Sequence, residues 1–265
     1  MYLLLDIGRS KIRIATSQDL VVFSDPLIFD TPQNSDEGLN FLFEKANELL
    51  AGAKSSGVAF GISRMLWPDV SVSDFLQEKF SCPVFSVNDS ALVALGEARS
   101  GAGRSSKVFV YITISSGVGG ARIVNGKIDE SVFGFEPGHQ IINFDDGLKC
   151  QSCGKRGHLE GYVSGLAIQE RMGVPPYEIK DDNFWDQTAK TLSIGLHNVI
   201  MHWSPDMICL GGSMTKVPGI KIEDVERHLS EISTIFPSLP TIKKAELGDI
   251  GGIYGAKELL RQNLL

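Results

Sequence analysis

The 265-residue chain has no excess of basic charge. Its 25 Lys and Arg are outnumbered by 32 Asp and Glu, a formal net charge of −7. That argues against a nucleic-acid binder, which presents a basic face. No apolar run approaches the roughly 20 residues that a bilayer span requires. The N-terminal MYLLLDIGRSK has a short apolar stretch, but no basic segment before it and no small-residue cleavage site, so it reads as a strand and not as a signal peptide. Cysteine is sparse: four in a chain of this length do not make the disulfide framework of a secreted domain, and the cytoplasm is the expected location. There is no Pro-, Gly- or Ser-rich linker, no low-complexity tract and no short-period repeat of the solenoid kind. What is present, 43% hydrophobic and 22% charged residues, suits a soluble globular chain with a sizeable core, in one large domain or two modest ones.

The hydrophobic pattern alternates between strand and helix periods. YLLLDI (2–7), KIRIAT (11–16) and LVVFSD (20–25) predict three short strands in a meander. Residues 35–52 carry apolar positions at helical spacing and end in Gly. GVAFGI (57–62) reads as a strand, SDFLQEKF as a short helix, CPVFSV (82–87) as a strand and DSALVALGEARSG as a helix ending at Gly101. A similar order follows. VFVYITI (108–114) is a strand, SSGVGG a glycine turn, and ARIVNGKI a strand with a hairpin turn at Asn125–Gly126. Helices are expected at 159–170 and 184–203, then the strand DMICLGG (206–212) and a final helix GGIYGAKELLRQ. Strand–strand–strand–helix–strand–helix thus occurs twice, which predicts two related α/β halves with a cleft between them. The boundary falls in the polar, glycine-rich GAGRSSK (101–107).

Two turns have the composition of oxyanion sites. DIGRSK places Asp6 at the end of a strand, then Gly8, Ser10 and Lys11: glycine lets the backbone approach an oxyanion, and the hydroxyl and ammonium can donate to it. An acid beside a phosphate site usually handles Mg2+. SSGVGG repeats the design with Ser115, Ser116, Gly117, Gly119 and Gly120, whose amides suit an anion nest. Neither is a Walker loop, and a strand follows SSGVGG, which excludes the dinucleotide fingerprint. Each alone is equally a hairpin turn. Two of them at the starts of two similar halves, with a third turn at Gly211–Gly212, favour nucleotide phosphate binding.

In this order the motifs resemble those of the ROK family (repressor, open reading frame, kinase). DIGRSK is similar to its DIGGTK, VNDSALVALGEARSGAG to its VENDANAAALGEARFGAG, and SSGVGGARIVNGKI to its GTGIGGGIILNGKL. EPGH matches E-x-G-H, CGKRGHLEGYVSG resembles CGNRGCLEAYASG, and CLGGSM its adenosine-side turn. The resemblance implies an α/β chain with the two-lobed actin-like ATPase (ribonuclease H-like) fold and an interdomain cleft. The smaller lobe would be 1–106, with the C-terminal helix 250–265 packing back on it, and the larger 107–249.

The resemblance also implies roles. Asp89, in the Asn–Asp pair, would be the general base that takes the proton from a sugar hydroxyl attacking the γ-phosphate of ATP; capping of the following helix by Asn88 or Asp89 is the plain alternative. Asn88, Glu136, His139 and Glu160 would contact sugar hydroxyls. Asp6, Gly8, Ser10, Lys11, Ser116, Gly117 and Gly119 would lie at phosphate and Mg2+, and Gly211 and Gly212 against the adenosine. The implied activity is ATP-dependent phosphorylation of a hexose or N-acetylhexosamine; the alternative is a non-catalytic sugar- or nucleotide-binding relative. No helix-turn-helix segment precedes residue 1, so no nucleic-acid partner is expected. No membrane partner is expected either, and a homodimer is a family-level expectation.

Three departures from the family pattern stand out. Arg9 replaces a glycine, Ser115–Ser116 replaces Gly–Thr, and residues 61–75 are shorter by roughly a dozen residues, which a surface loop tolerates and which is expected to enlarge or expose the sugar pocket. In the loop 136–160, His139, Cys150, Cys153 and His158 supply four ligands of the type and number that a tetrahedral structural Zn2+ takes. The family form is one His and three Cys; here the first gap is one residue longer and His158 replaces the last Cys. A redox pair lacks a thioredoxin-like context; a surface His158 beside Lys155 and Arg156, and a vestigial site, remain as alternatives. The zinc would orient His139 and leave the chemistry to Asp89. Cys82 and Cys209, on apolar strands, read as buried small hydrophobes.

Overall fold

A computed structural model describes residues 1–145 and 147–265 of the chain, which form two compact units: residues 1–101 with 247–265, and residues 102–246. The first contains β1 (Tyr2–Ile7), β2 (Lys11–Ser17), β3 (Leu27–Asp30), α1 (Ser35–Leu50), β4 (Gly57–Ile62), α2 (Val72–Phe80), β5 (Val84–Asn88) and α3 (Asp89–Ser100). The second contains β6 (Val108–Ile114), β7 (Val118–Val124), β8 (Lys127–Ile128), α4 (Glu160–Val163), α5 (Gly165–Met172), α6 (Asp182–Trp203), β9 (Met207–Gly211), α7 (Ile222–Ile232) and β10 (Thr241–Lys244). The chain then returns to the first unit as α8 (Gly251–Leu264).

The two sheets have one topology. The first runs β3-β2-β1-β4-β5; the second, read from its other edge, runs β8-β7-β6-β9-β10. In each, the first three strands form an antiparallel meander and the last two join in parallel. The expected repetition of elements is therefore a repetition of topology. The central strands explain the apolar runs: Leu3, Leu4, Leu5 and Ile7 of β1, and Val110 and Ile114 of β6, are fully buried, as strands covered on both faces must be. Such a sheet collects function at the carboxyl ends of its parallel strands. Asp6 is the last residue but one of β1 and Asp89 follows β5, both in the first unit.

α8 completes the first unit by packing on α3 at backbone distance. A Cβ at Gly255 would stand 1.8 Å from the Leu92 carbonyl oxygen, and one at Gly96 would stand 2.2 Å from that of Gly251. Only glycine permits such a crossing.

The structure corrects several elements. LVVFSD is not a strand: the Asp19 carboxylate takes the Val21 and Val22 amides at 2.8 and 3.2 Å, an Asx turn, and both valines are exposed. The third strand is LIFD, paired with β2. CPVFSV enters its strand at Val84 and not at Cys82. The helix expected over 159–170 breaks at Ser164, whose hydroxyl caps α5 by accepting from the Ala167 amide at 3.3 Å. SSGVGG is not all turn, because β7 begins at Val118 and pairs Gly119 with Thr113 and Gly120 with Ile112. α7 and β10 were not expected. α7 has a legible stripe in Ile222, Val225, Leu229 and Ile232, whereas β10 is a four-residue edge strand with Ile242 its one buried residue.

Candidate functional site

Asp6 stands directly across from Arg13 in the β1–β2 register, and the guanidinium reaches Oδ2 at 3.3 Å. Asp6 is 7% exposed. Burial pushes its carboxyl up to about 6 against the pull of Arg13, and the charge of Asp89 adds to the rise. Asn88 caps α3, its Oδ1 accepting from the Ser90 amide at 2.9 Å. Asp89 takes the same amide at 2.7 Å. The capping role is thus real, and it holds the Asp89 carboxyl at the helix start. Burial raises Asp89 above the ordinary carboxylate range; the Ser90 donors and the charge of Arg9 offset part of the rise.

The Gly8–Ser10 turn is fixed from outside. The Thr31 hydroxyl donates to the Gly8 carbonyl at 2.7 Å, the Thr31 amide to Ser10 O at 3.1 Å, and the Gln33 amide group to Arg9 O at 3.2 Å. Lys11 is engaged by Asp30 at 2.7 Å in an exposed pair of the weak surface kind. The shortened segment folds onto the core of the first unit: Trp67 is buried and donates from Nε1 to Pro32 O at 3.0 Å.

In the second unit, His139, Cys150, Cys153 and His158 converge, their donor atoms all within 4.8 Å of one another. The two histidine Nδ1 atoms are 3.3 Å apart, Cys153 Sγ is 3.3 Å from His158 Nδ1, and Cys150 Sγ is 3.7 Å from His139 Nδ1. Ligands at ordinary Zn–N and Zn–S lengths stand about 3.3–3.8 Å apart around a tetrahedron, so these three separations, and the two-Cys, two-His donor types, suit zinc. Burial, with His139 beside it, holds His158 below its ordinary value, which favours the neutral ring a metal needs. Burial, with Glu160 alongside, pushes the Cys150 thiol up to about 12. A metal ligand must shed that proton, which makes metal affinity depend on pH.

Glu160, at the start of α4, joins this loop to the β6–β7 turn. Its Oε1 accepts from the Ser152 hydroxyl and from Cys150 Sγ at 3.1 Å, and its Oε2 from the Val118 amide at 2.9 Å. Burial pushes the Glu160 carboxyl up, yet the Ser152, Val118 and Cys150 donors more than offset it and hold it below its usual value. As a metal ligand Cys150 is a thiolate, and Ser152 is then the donor left to Oε1. The turn itself, Ser115–Gly117, gives its carbonyls to the first amides of α5: Gly165 N reaches Ser115 O at 2.7 Å. Ser213, just after Gly211 and Gly212, donates to the Ser115 hydroxyl at 3.3 Å, so the two glycine-containing turns meet. Gly212 adopts φ +91°, while Gly211 is the last residue of β9. Glu136 is exposed, and its carbonyl accepts from the His139 amide at 3.0 Å.

Within the first unit the structure thus groups Asp6, Asn88 and Asp89. Within the second it groups Ser116, Gly117, Glu160 and the four-ligand cluster. Arg13, Ser152, Thr31 and Gln33 escaped the sequence reading. For Arg13 a signal existed, because the hairpin register places it opposite Asp6.

The model of the ROK family matches residues 53–263. The chain belongs to the ROK family. Among ROK proteins it is 27% identical to the N-acetyl-D-glucosamine kinase of Histophilus somni, over 98% of both chains. It is 30% identical to the xylose repressor of Bacillus spizizenii over 65% of this chain and 48% of that one, so it spans about half the length of that relative. The ROK glucokinase of Streptomyces griseus, solved in complex with glucose and AMPPNP, superposes with a TM-score of 0.81 at 21% identity, covering 98% of this chain and 99% of that one. The fold is that of the actin-like ATPases. Kinases and repressors both occur among the relatives. No helix among the described residues is long and apolar enough to cross a membrane.

Proposed function

We propose that the chain is an ATP-dependent sugar kinase that phosphorylates a hydroxyl of a hexose or N-acetylhexosamine. The observation that carries this reading is Asp89, a carboxyl anchored at the start of α3 by Ser90 and raised by burial, which is how a general base is tuned toward neutral pH. In this reading Asp89 accepts the proton of the attacking sugar hydroxyl. Asn88, Glu136, His139 and Glu160 hold neighbouring hydroxyls, as carboxylate, amide and imidazole groups can. Ser10, Lys11, Ser116 and the backbone at Gly8, Gly117 and Gly119 receive phosphate oxygens, and Gly211 and Gly212 lie at the adenosine. Mg2+, held through water by Asp6, would neutralise charge on the phosphates. Zn2+ on His139, Cys150, Cys153 and His158 would fix the loop and the orientation of His139, with no part in phosphoryl transfer.

Supporting the kinase reading are the near full-length match to an N-acetylglucosamine kinase and the fold shared with a glucokinase that binds glucose and a nucleotide analogue. The xylose repressors favour the second reading, a non-catalytic sugar- or nucleotide-binding protein. A coupled ADP-release assay over hexoses and N-acetylhexosamines separates the two. The kinase reading expects sugar-dependent turnover that Asp89→Asn lowers by about 10²–10⁴-fold, the range of a general base. Absence of turnover on every sugar would leave the binding reading.

A further inference from the structure

Glu160 is 3% exposed, and its two carboxylate oxygens have different surroundings. Oε1 accepts from three donors: the Ser152 hydroxyl, the Ser152 backbone amide at 3.3 Å and Cys150 Sγ at 3.1 Å. Oε2 accepts from the Val118 amide at 2.9 Å. A carboxylate oxygen offers two lone pairs, so Oε1 is fully subscribed and Oε2 retains an accepting direction. Residue 117 lies on the Oε2 side: a Cβ there would stand 2.8 Å from Oε2, and glycine leaves that side open.

We propose that Ser152 is a positioning residue for Glu160, anchoring Oε1 through hydroxyl and amide so that Oε2, beside Gly117, is the oxygen that receives a sugar hydroxyl. The proposal rests on the sugar-kinase reading above and deepens it. Ser152 sits between Cys150 and Cys153, so the metal-binding loop delivers its two donors together and ties the aim of Glu160 to the folded loop. Sulfur is a weak donor, and as a metal ligand Cys150 has no proton to give, which leaves the Ser152 hydroxyl as the side-chain partner of Oε1. Without it only the Ser152 and Val118 amides hold the carboxylate, its plane swings more freely about the last torsion, and the open accepting direction beside Gly117 is no longer kept on the substrate hydroxyl.

The test uses the full chain with Ser152→Ala and Ser152→Thr, read by steady-state kinetics on the best sugar, by elemental metal content and by urea unfolding. Loss of a hydrogen bond to a charged group predicts a sugar KM raised about tenfold or more in Ser152→Ala, with the KM for ATP within about twofold of the parent. Metal content and unfolding midpoint stay at the parental level, and Ser152→Thr, which restores the hydroxyl, returns the sugar KM to near the parent. An unchanged sugar KM in Ser152→Ala overturns the proposal. So does a parallel rise of both KM values with loss of metal, or failure of threonine to rescue, since either marks a role in loop folding only. If the parent chain itself turns over no sugar, the kinase reading fails and the proposal falls with it, an outcome distinct from an active parent with an indifferent Ser152→Ala.

Discussion

Asp6 lies buried between a cation and an acid, and its carboxyl titrates at about 6 where an ordinary aspartate titrates at 3.8. Between those values the folded chain holds a proton that the unfolded chain has released. Stability therefore falls as pH rises through this window, by on the order of 2–3 kcal/mol from this residue. Asp6→Asn is expected to flatten that slope in urea unfolding measured from pH 4 to 8. Arg13→Met, by removing the opposing charge, should move the Asp6 carboxyl higher still in a carbon-13 NMR titration; a resonance left in place would show that Arg13 does not act on it. The candidate metal ligands make a second prediction at this scale. Purified chain should carry about one zinc per molecule, as a closed four-ligand site does, and Cys153→Ala or His158→Ala should lose it while leaving the first unit folded. Elemental analysis with far less than one zinc in the parent would contradict the assignment.

The helices and strands divide by how local their causes are. β1 and β6 were legible as continuous apolar runs, and the Asn125–Gly126 hairpin as a pair of residues that tolerate positive φ, which they adopt at +51° and +75°. The four converging Cys and His side chains were legible as a candidate metal set because three of them lie within nine residues of one another in a single loop. What was not legible depends on single side-chain hydrogen bonds that override the apolar pattern, and on contacts across the chain. Asp19 diverts Val21 and Val22 from a strand that their β-branching favours, Ser164 cuts a helix in two by capping its second half, and Ser152 meets Glu160 only once the loop has closed. The α3–α8 crossing belongs here too. Alanine ordinarily stabilises a helix over glycine by about 1 kcal/mol. Gly255→Ala should do the reverse and destabilise by about 2 kcal/mol or more, because its Cβ would be driven into the Leu92 carbonyl. Chemical denaturation followed by circular dichroism reads the sign directly.

For the molecule as a whole, one strand order occurs in both units, and the residues assigned to chemistry are distributed over both. The first unit holds the proposed base and Asp6 beside the proposed phosphate turn; the second holds the candidate metal loop, Glu160 and two meeting glycine turns. The most direct test is mass spectrometry of the sugar after incubation with MgATP and either the parent chain or Asp89→Asn. The account predicts a phosphorylated hexose or N-acetylhexosamine with the parent and its near-complete loss with Asp89→Asn. No phosphorylated sugar from the parent, or equal amounts from both proteins, would contradict it.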